Sequence, residues 1–156
     1  EGTPLPPKGS VVGVSNVAVC EECDLKKSEK VISRFYRPYE IIPEPGICLL
    51  EQGIVCMGPA TRGGCGALCM DVGMGCRGCY GPMPGGEDQG AKMLSAIASV
   101  IGAGHESMEE AQLEEEIQAV VDTIADPAGT FYRFSMANSL LKRAKVNGSN
   151  GKGEPA

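Results

Sequence analysis

The chain has 156 residues, a formal net charge of −6, three Phe, four Tyr and no Trp, so any core must come from aliphatic side chains and Met within one modest domain and a tail. The acidic balance excludes a general nucleic-acid binder, which needs a basic face, and no apolar run reaches the length that crosses a bilayer. The opening segment also lacks the charged-then-apolar tandem of a signal peptide, and a cytoplasmic location is expected.

Residues 1–19 open with Pro4, Pro6 and Pro7 and read as a linker passing into an extended run over 11–19. After the Cys20, Cys23 pair, Asp24 is placed to cap a helix running to about Phe35, with Leu25, Val31, Ile32 and Phe35 on or near one face. Pro38, Pro43 and Pro45 end it and force turns or extended chain up to Cys48. From Cys48 to Pro84 glycine recurs too often for long elements, which predicts turns and at most single helical turns. Regular structure resumes where Asp88 caps a helix to about Ile101, with Met93, Leu94, Ile97 and Ile101 at helical spacing and Gly102 or Gly104 ending it. Ser107 to Glu110 reads as a capping box for a second helix with the stripe Leu113, Ile117, Val120, Val121 and Ile124, stopped at Asp126 and Pro127. Residues 138–156 read as a mostly disordered tail, Gly- and Lys-rich towards its end. The expected fold is mainly α with much irregular loop: a small cluster domain of short helices with little or no sheet, divided into a linker (1–19), a cysteine-bearing domain (20–86) and a helical C-terminal segment (87–137).

Eight cysteines, at 20, 23, 48, 56, 65, 69, 76 and 79, dominate that middle region, with no histidine among them. Twelve of the 22 glycines lie between Gly53 and Gly90, so this stretch cannot hold itself together by side-chain burial, and thiolate–metal bonds are the alternative. Three explanations compete. Disulfides need an oxidising compartment, and nothing here signals export. Two four-thiolate zinc sites fit the count, but only two pairs have the two-residue spacing of zinc knuckles. Iron–sulfur clusters accept ligands from irregular loops at uneven spacing, and their sulfides take hydrogen bonds from closely approaching backbone N–H groups. Between Gln52 and Gly86 the charged residues are Arg62, Asp71 and Arg77; the two arginines read equally well as partners of an anionic cluster or as solvated loop residues.

At these residues the chain resembles a known family. The run CLLEQGIVCMGPATRGGCGALC from Cys48 to Cys69, GMGCRGCYGP from Gly73 to Pro82, EDQGAKM from Glu87 to Met93 and DPAGTFYRF from Asp126 to Phe134 are similar to the small subunit of cytoplasmic [NiFe] hydrogenases, in particular the methyl-viologen-reducing, deazaflavin-nonreducing type, with the deazaflavin-reducing and sulfhydrogenase types next. The likeness runs over about residues 1–140 and takes in all eight cysteines.

The resemblance implies a non-catalytic electron-transfer module of an oxidoreductase complex, with no hydrogen-activating residue in this chain. Cys20, Cys23, Cys48 and Cys56 would hold a distal [4Fe–4S] cluster, and Cys65, Cys69, Cys76 and Cys79 a medial one. A membrane-associated branch of the family carries His where Cys20 stands and often Pro near Cys69. All-thiolate ligation here implies two complete cubes and a lower distal potential, within a range of roughly −700 to +450 mV. Family members also carry an N-terminal domain supplying a third, proximal cluster; this sequence reads as the portion downstream of that domain, so the proximal cluster is expected on a preceding domain or a separate chain. The implied partners are the [NiFe] large subunit, the proximal-cluster domain, and a downstream iron–sulfur or flavin acceptor subunit such as that of a heterodisulfide reductase or bifurcating complex. Two alternatives remain open: a structural double-zinc scaffold, and a free-standing two-cluster ferredoxin.

Other candidates are bland. His105 reads as a loop or capping residue, and Glu109, Glu110 and Glu114 to Glu116 as a solvated helix face. Met57, Met70, Met74 and Met83 read as gap-filling packing around a cofactor. A single His allows no Ser–His–Asp arrangement, and the glycine loops lack a P-loop ending.

Overall fold

The structure is a computed structural model that describes residues 4–8, 10, 12–28, 31–86, 88–102 and 109–141. His105, Glu87, the first half of the expected capping box and the end of the tail lie outside the described residues. Among the described residues four α-helices appear in order: α1 (Leu68–Asp71), α2 (Gln89–Gly102), α3 (Glu110–Asp122) and α4 (Pro127–Phe131), with short 3₁₀ turns at Val19–Glu21, Gly58–Ala60 and Met136–Asn138. Extended pairing among the described residues is confined to isolated bridges. The small, mainly helical and loop architecture is the one its composition predicts.

Helix α2 forms where the sequence places it. Asp88 caps it, its Oδ1 accepting the Ala91 N–H at 2.7 Å, and the spacing of Met93, Ile97 and Ile101 aligns three fully buried side chains on one face. Each contributes roughly 1.5–3 kcal/mol by leaving water. Leu94, expected on that stripe, is 40% exposed instead, because the helix packs on the Gly58–Ala60 turn, α3 and α4 along the Met93 side. In α3, Val120 is buried and Leu113, Ile117 and Val121 half-buried, while the acidic residues face outward. Asp126 and Pro127 do more than stop α3. Asp126 adopts a left-handed conformation and accepts the Gly129 N–H, so this pair starts α4, with Pro127 at the first helical position.

The expected helix over 24–35 is absent from the described part of that segment. The chain there is extended and pairs in parallel with the loop that follows: Lys26 bridges Ile47 and Tyr36 bridges Ile54. The Lys26 N–H donates to Gly46 O, the Cys48 N–H to Lys26 O, and the Tyr36 N–H to Gly53 O. Backbone groups that a helix would satisfy locally are satisfied across the loop. Ile32 and Phe35 still reach the core, and Phe35 is fixed to α3 by its N–H donating at 2.7 Å to Thr123 Oγ1.

Residues 61–63 form the central spine of the cysteine region. On one side Val19 N–H donates to Thr61 O and Gly63 N–H to Val17 O; on the other Arg62 N–H donates to Gly81 O. This spine sets the segment before Cys20 beside the segment after Cys79.

Candidate metal centre

All eight cysteines are free. Cys20 lies on the Val19–Glu21 turn, Cys48 follows the Lys26–Ile47 bridge, and Cys56 precedes the Gly58–Ala60 turn. Met57 and Ala60, which lie just beyond Cys56, are buried. A Cβ placed on Gly58 would meet the Cys20 sulfur at 3.0 Å and the Cys56 sulfur at 3.5 Å, so this glycine backs directly onto two thiols. Burial pushes the Cys20 thiol up to about 11, and the nearby Cys48, Cys23 and Cys76 sulfurs push the same way against Lys27. Burial drives Cys56 to about 12, opposed by N–H donors from Gly58 and Cys76.

Cys76 is raised first by burial and further by Cys79 and Cys65, while the Gly78 N–H and the Thr61 hydroxyl pull it down. Cys65 is half-buried, and Cys69, on α1, is exposed like Cys79. The sulfurs that raise their neighbours' thiols are Cys48, Cys23 and Cys76 for Cys20, Cys76 and then Cys20 for Cys56, and Cys79 and Cys65 for Cys76, so these influences run across the two expected sets as well as within them. One member of each expected set meets the other where the Cys76 N–H donates to Cys56 Sγ at 3.3 Å in a buried position. Among the described residues no group of three or more His, Cys, Asp and Glu side chains is arranged to hold one metal ion.

Three polar residues that the sequence did not single out organise this region. Glu22, inside the Cys20–Cys23 loop, accepts the N–H groups of Gly64 at 2.6 Å and Gly66 at 2.9 Å, on either side of Cys65. The Gly64 donor foremost, with those of Gly66, Ser15 and Cys65, holds its carboxyl below the usual range despite some desolvation. Thr61 is fully buried, its hydroxyl on the Met57 carbonyl at 2.5 Å and beside the Cys76 sulfur. Gln89, the first residue of α2, donates to Thr61 Oγ1 at 3.1 Å and to Gly78 O at 3.2 Å, clamping the Cys76–Cys79 loop onto the helix. None of these carries a sequence signal of its own, although Gln89 lies within the EDQGAKM run.

That run is anchored from behind. Burial raises the Asp88 carboxyl, but hydrogen bonds from Ala91, Leu140, Tyr132 and Gly90 outweigh it and hold the group below the ordinary Asp range. Tyr132, from the DPAGTFYRF run, is pushed up to about 12 by burial and by the Asp88 carboxylate that accepts its hydroxyl. Its ring lies against Gly90 so closely that a Cβ there would sit 2.2 Å from Tyr132 Cζ. Two sequence runs some forty residues apart are therefore one packing unit.

Arg62 is half-buried with its Nε out of water and no hydrogen-bond partner among protein atoms. Arg77 is also half-buried and lines a cavity of about 440 Å³ with Phe35, Tyr36, Tyr39, Met74 and Thr123. Met57 and Met70 are buried packing residues; Met74 is 48% exposed.

The donor set suits a large anionic group. Eight free thiols, N–H donors aimed at Cys56 and Cys76, a glycine surface against Cys20 and Cys56, and a buried guanidinium nitrogen without a protein partner fit the needs of thiolate-ligated iron–sulfur chemistry.

No protein-family model matches the chain. It is 44% identical over 124 residues to the G subunit of the F420-non-reducing hydrogenase of Methanothermus fervidus, covering 78% of this chain and 93% of that one. To the protein of the same name from Methanothermobacter marburgensis it is 39% identical over 137 residues, covering 86% of this chain and 42% of that one. To the iron-sulfur G subunit of the F420-non-reducing hydrogenase of Archaeoglobus profundus it is 41% identical over 102 residues, covering 62% of this chain and 32% of that one. The class defined by fold, thiols and relatives is that of hydrogenase iron–sulfur subunits. The chain belongs to the family of F420-non-reducing hydrogenase G subunits. It spans nearly the whole of the first relative and less than half the length of the other two.

Proposed function

We propose that this chain is the C-terminal iron–sulfur portion of a [NiFe] hydrogenase small subunit and relays electrons through two [4Fe–4S] clusters. Cys20, Cys23, Cys48 and Cys56 (the outer set) would hold the distal cluster, and Cys65, Cys69, Cys76 and Cys79 (the inner set) the medial one. When bound, each cluster supplies a one-electron site of tunable potential. The chain's own residues hold the sulfurs, keep water from Cys56 and Cys76, and offer N–H donors that favour added negative charge.

The observation that most supports this reading is the contact between the two buried cysteines, the Cys76 N–H donating to Cys56 Sγ, which sets one member of each proposed set against the other. The uneven spacing of the cysteines, with only two pairs two residues apart, favours a bulky cluster over the double-zinc scaffold. The hydrogenase relatives favour a complex over a free-standing ferredoxin. Electrons from hydrogen oxidation would enter at the inner set and leave through the outer set to an iron–sulfur or flavin subunit. The large subunit and a proximal-cluster domain or chain are the upstream partners, and residues 20–86 form the cluster unit buttressed by the helices of 87–137. No helix among the described residues is long and apolar enough to cross a membrane, and a cytoplasmic placement belongs to the same proposal.

Anaerobic purification with metal and sulfide analysis tests the reading. About eight irons per chain with broad visible absorption is the expected result; stoichiometric zinc without that absorption refutes it. Replacing one cysteine at a time then tests the partition: each replacement within a set should alter the same electron paramagnetic resonance signal, and a crossed pattern would overturn the assignment.

A further inference from the structure

We infer that the peptide N–H of Cys76, donated to Cys56 Sγ, is the bridge through which an electron passes between the inner and outer cysteine sets. This rests on the two-cluster reading above and adds a route to it. The contact joins a ligand residue of one set to the ligand sulfur of the other. On the Cys76 side it continues through N, Cα, Cβ and Sγ of a single residue, so a path from sulfur to sulfur crosses one hydrogen bond at 3.3 Å and otherwise only covalent bonds. The Met57 N–H returns to Cys76 O at 3.0 Å, so the two loops are pinned on both sides of the contact.

The surroundings are those of a built contact. Cys56 and Cys76 are the two buried cysteines of the eight; the others are half-buried or exposed. Val19, Met57, Ala60 and Thr61, each 0–1% exposed, pack in the same region and keep it dry. A dry, preorganised surround needs little rearrangement when charge moves.

The approach also depends on Gly75. A Cβ there would lie 2.3 Å from Val55 O and 3.3 Å from Cys56 Cα, so no other residue lets the Cys76 backbone come this close to the Cys56 loop. In the transfer step one electron leaves the inner set, which is oxidised, and enters the outer set, which is reduced. The amide proton stays on nitrogen, and no co-reactant is consumed.

The test uses the complex purified anaerobically with its accompanying subunits. In the native protein, pulsed electron–nuclear resonance on the reduced outer set should show exchangeable proton couplings from the two amides at Cys56 Sγ, those of Gly58 and Cys76. Gly75→Ala should wedge the loops apart, leave iron and sulfide content unchanged, remove one of the two couplings, and slow electron equilibration between the sets after pulsed photoreduction. Full iron content with both couplings and the equilibration rate unchanged would overturn the inference while leaving the two-cluster reading intact. Lack of iron–sulfur signals in the native protein would instead sink the two-cluster reading. Should Gly75→Ala fail to load iron, the native spectrum decides: a coupling from the Gly58 amide alone would overturn the inference, and both couplings would support it.

Discussion

Gly90→Ala is predicted to unfasten the C-terminal helices from the cysteine region. The new methyl carbon would sit 2.2 Å from Tyr132 Cζ and 2.6 Å from both Cε2 and the hydroxyl oxygen, falling roughly 1 Å or more short of van der Waals contact. Tyr132 cannot simply rotate aside, since its hydroxyl is held by Asp88, which also caps α2 and accepts the Leu140 N–H at 2.6 Å. Overpacking costs about 1–3 kcal/mol and a lost hydrogen bond to a charged group about 1.5–3 kcal/mol, while the better helix propensity of Ala returns about 1 kcal/mol, leaving a net loss of roughly 2–5 kcal/mol. Denaturant unfolding followed by circular dichroism measures it. In a Tyr132→Leu background the clash is gone, so adding Gly90→Ala should be neutral or slightly stabilising, and the double-mutant cycle should show a coupling of comparable size. A Gly90→Ala protein as stable as its parent, or an equal loss in both backgrounds, would refute the packing argument.

Three further outcomes are expected. Thr61→Val keeps the shape but removes the buried hydroxyl that donates to the Met57 carbonyl and accepts from Gln89; leaving those partners unpaired should cost about 1–3 kcal/mol in denaturant unfolding, and an unchanged midpoint would refute the role given to Thr61. Glu22→Gln weakens the carboxylate's hold on Gly64 and Gly66; iron removal by a chelator should change from one phase to two, with the inner set lost first, and Glu22→Ala should exaggerate the effect. Because the folded protein holds the Asp88 carboxyl below its unfolded pKa, the stability it contributes is present above about pH 4 and fades as pH falls through the lower folded value. Comparing unfolding of the parent and Asp88→Asn from pH 7 down should show the parent's advantage constant at first and shrinking below about pH 4; an advantage that grows on acidification would contradict the shift.

Local signals made the helices legible and non-local ones hid the rest. Asp88, followed by apolar residues at helical spacing, identifies α2 because the capping bond and the stripe lie close together in the chain. The segment 24–35 offers the same local pattern, and Ile32 and Phe35 are core residues as it implies. Its conformation, however, is decided by Gly46 and Gly53, whose carbonyls accept N–H groups of Lys26 and Tyr36 from a separate loop. Sequence periodicity cannot see such partners. The cysteines announced themselves by chemistry, but Glu22, Thr61 and Gln89 did not. A buried Thr and a helix-starting Gln acquire meaning only when the fold sets Gly78, Met57 and Cys76 beside them.

Glu22 has a consequence for how the protein is matured. By sitting within one cysteine loop while gripping the backbone on either side of Cys65, it makes the two loops share the entropy cost of becoming ordered. If the two proposed clusters are inserted in turn, a chain that has received one would present the second site already half assembled. Under iron limitation, native mass spectrometry should then find mostly empty and fully loaded chains with few in between, so that scarcity yields fewer finished conductors rather than many with a gap in them.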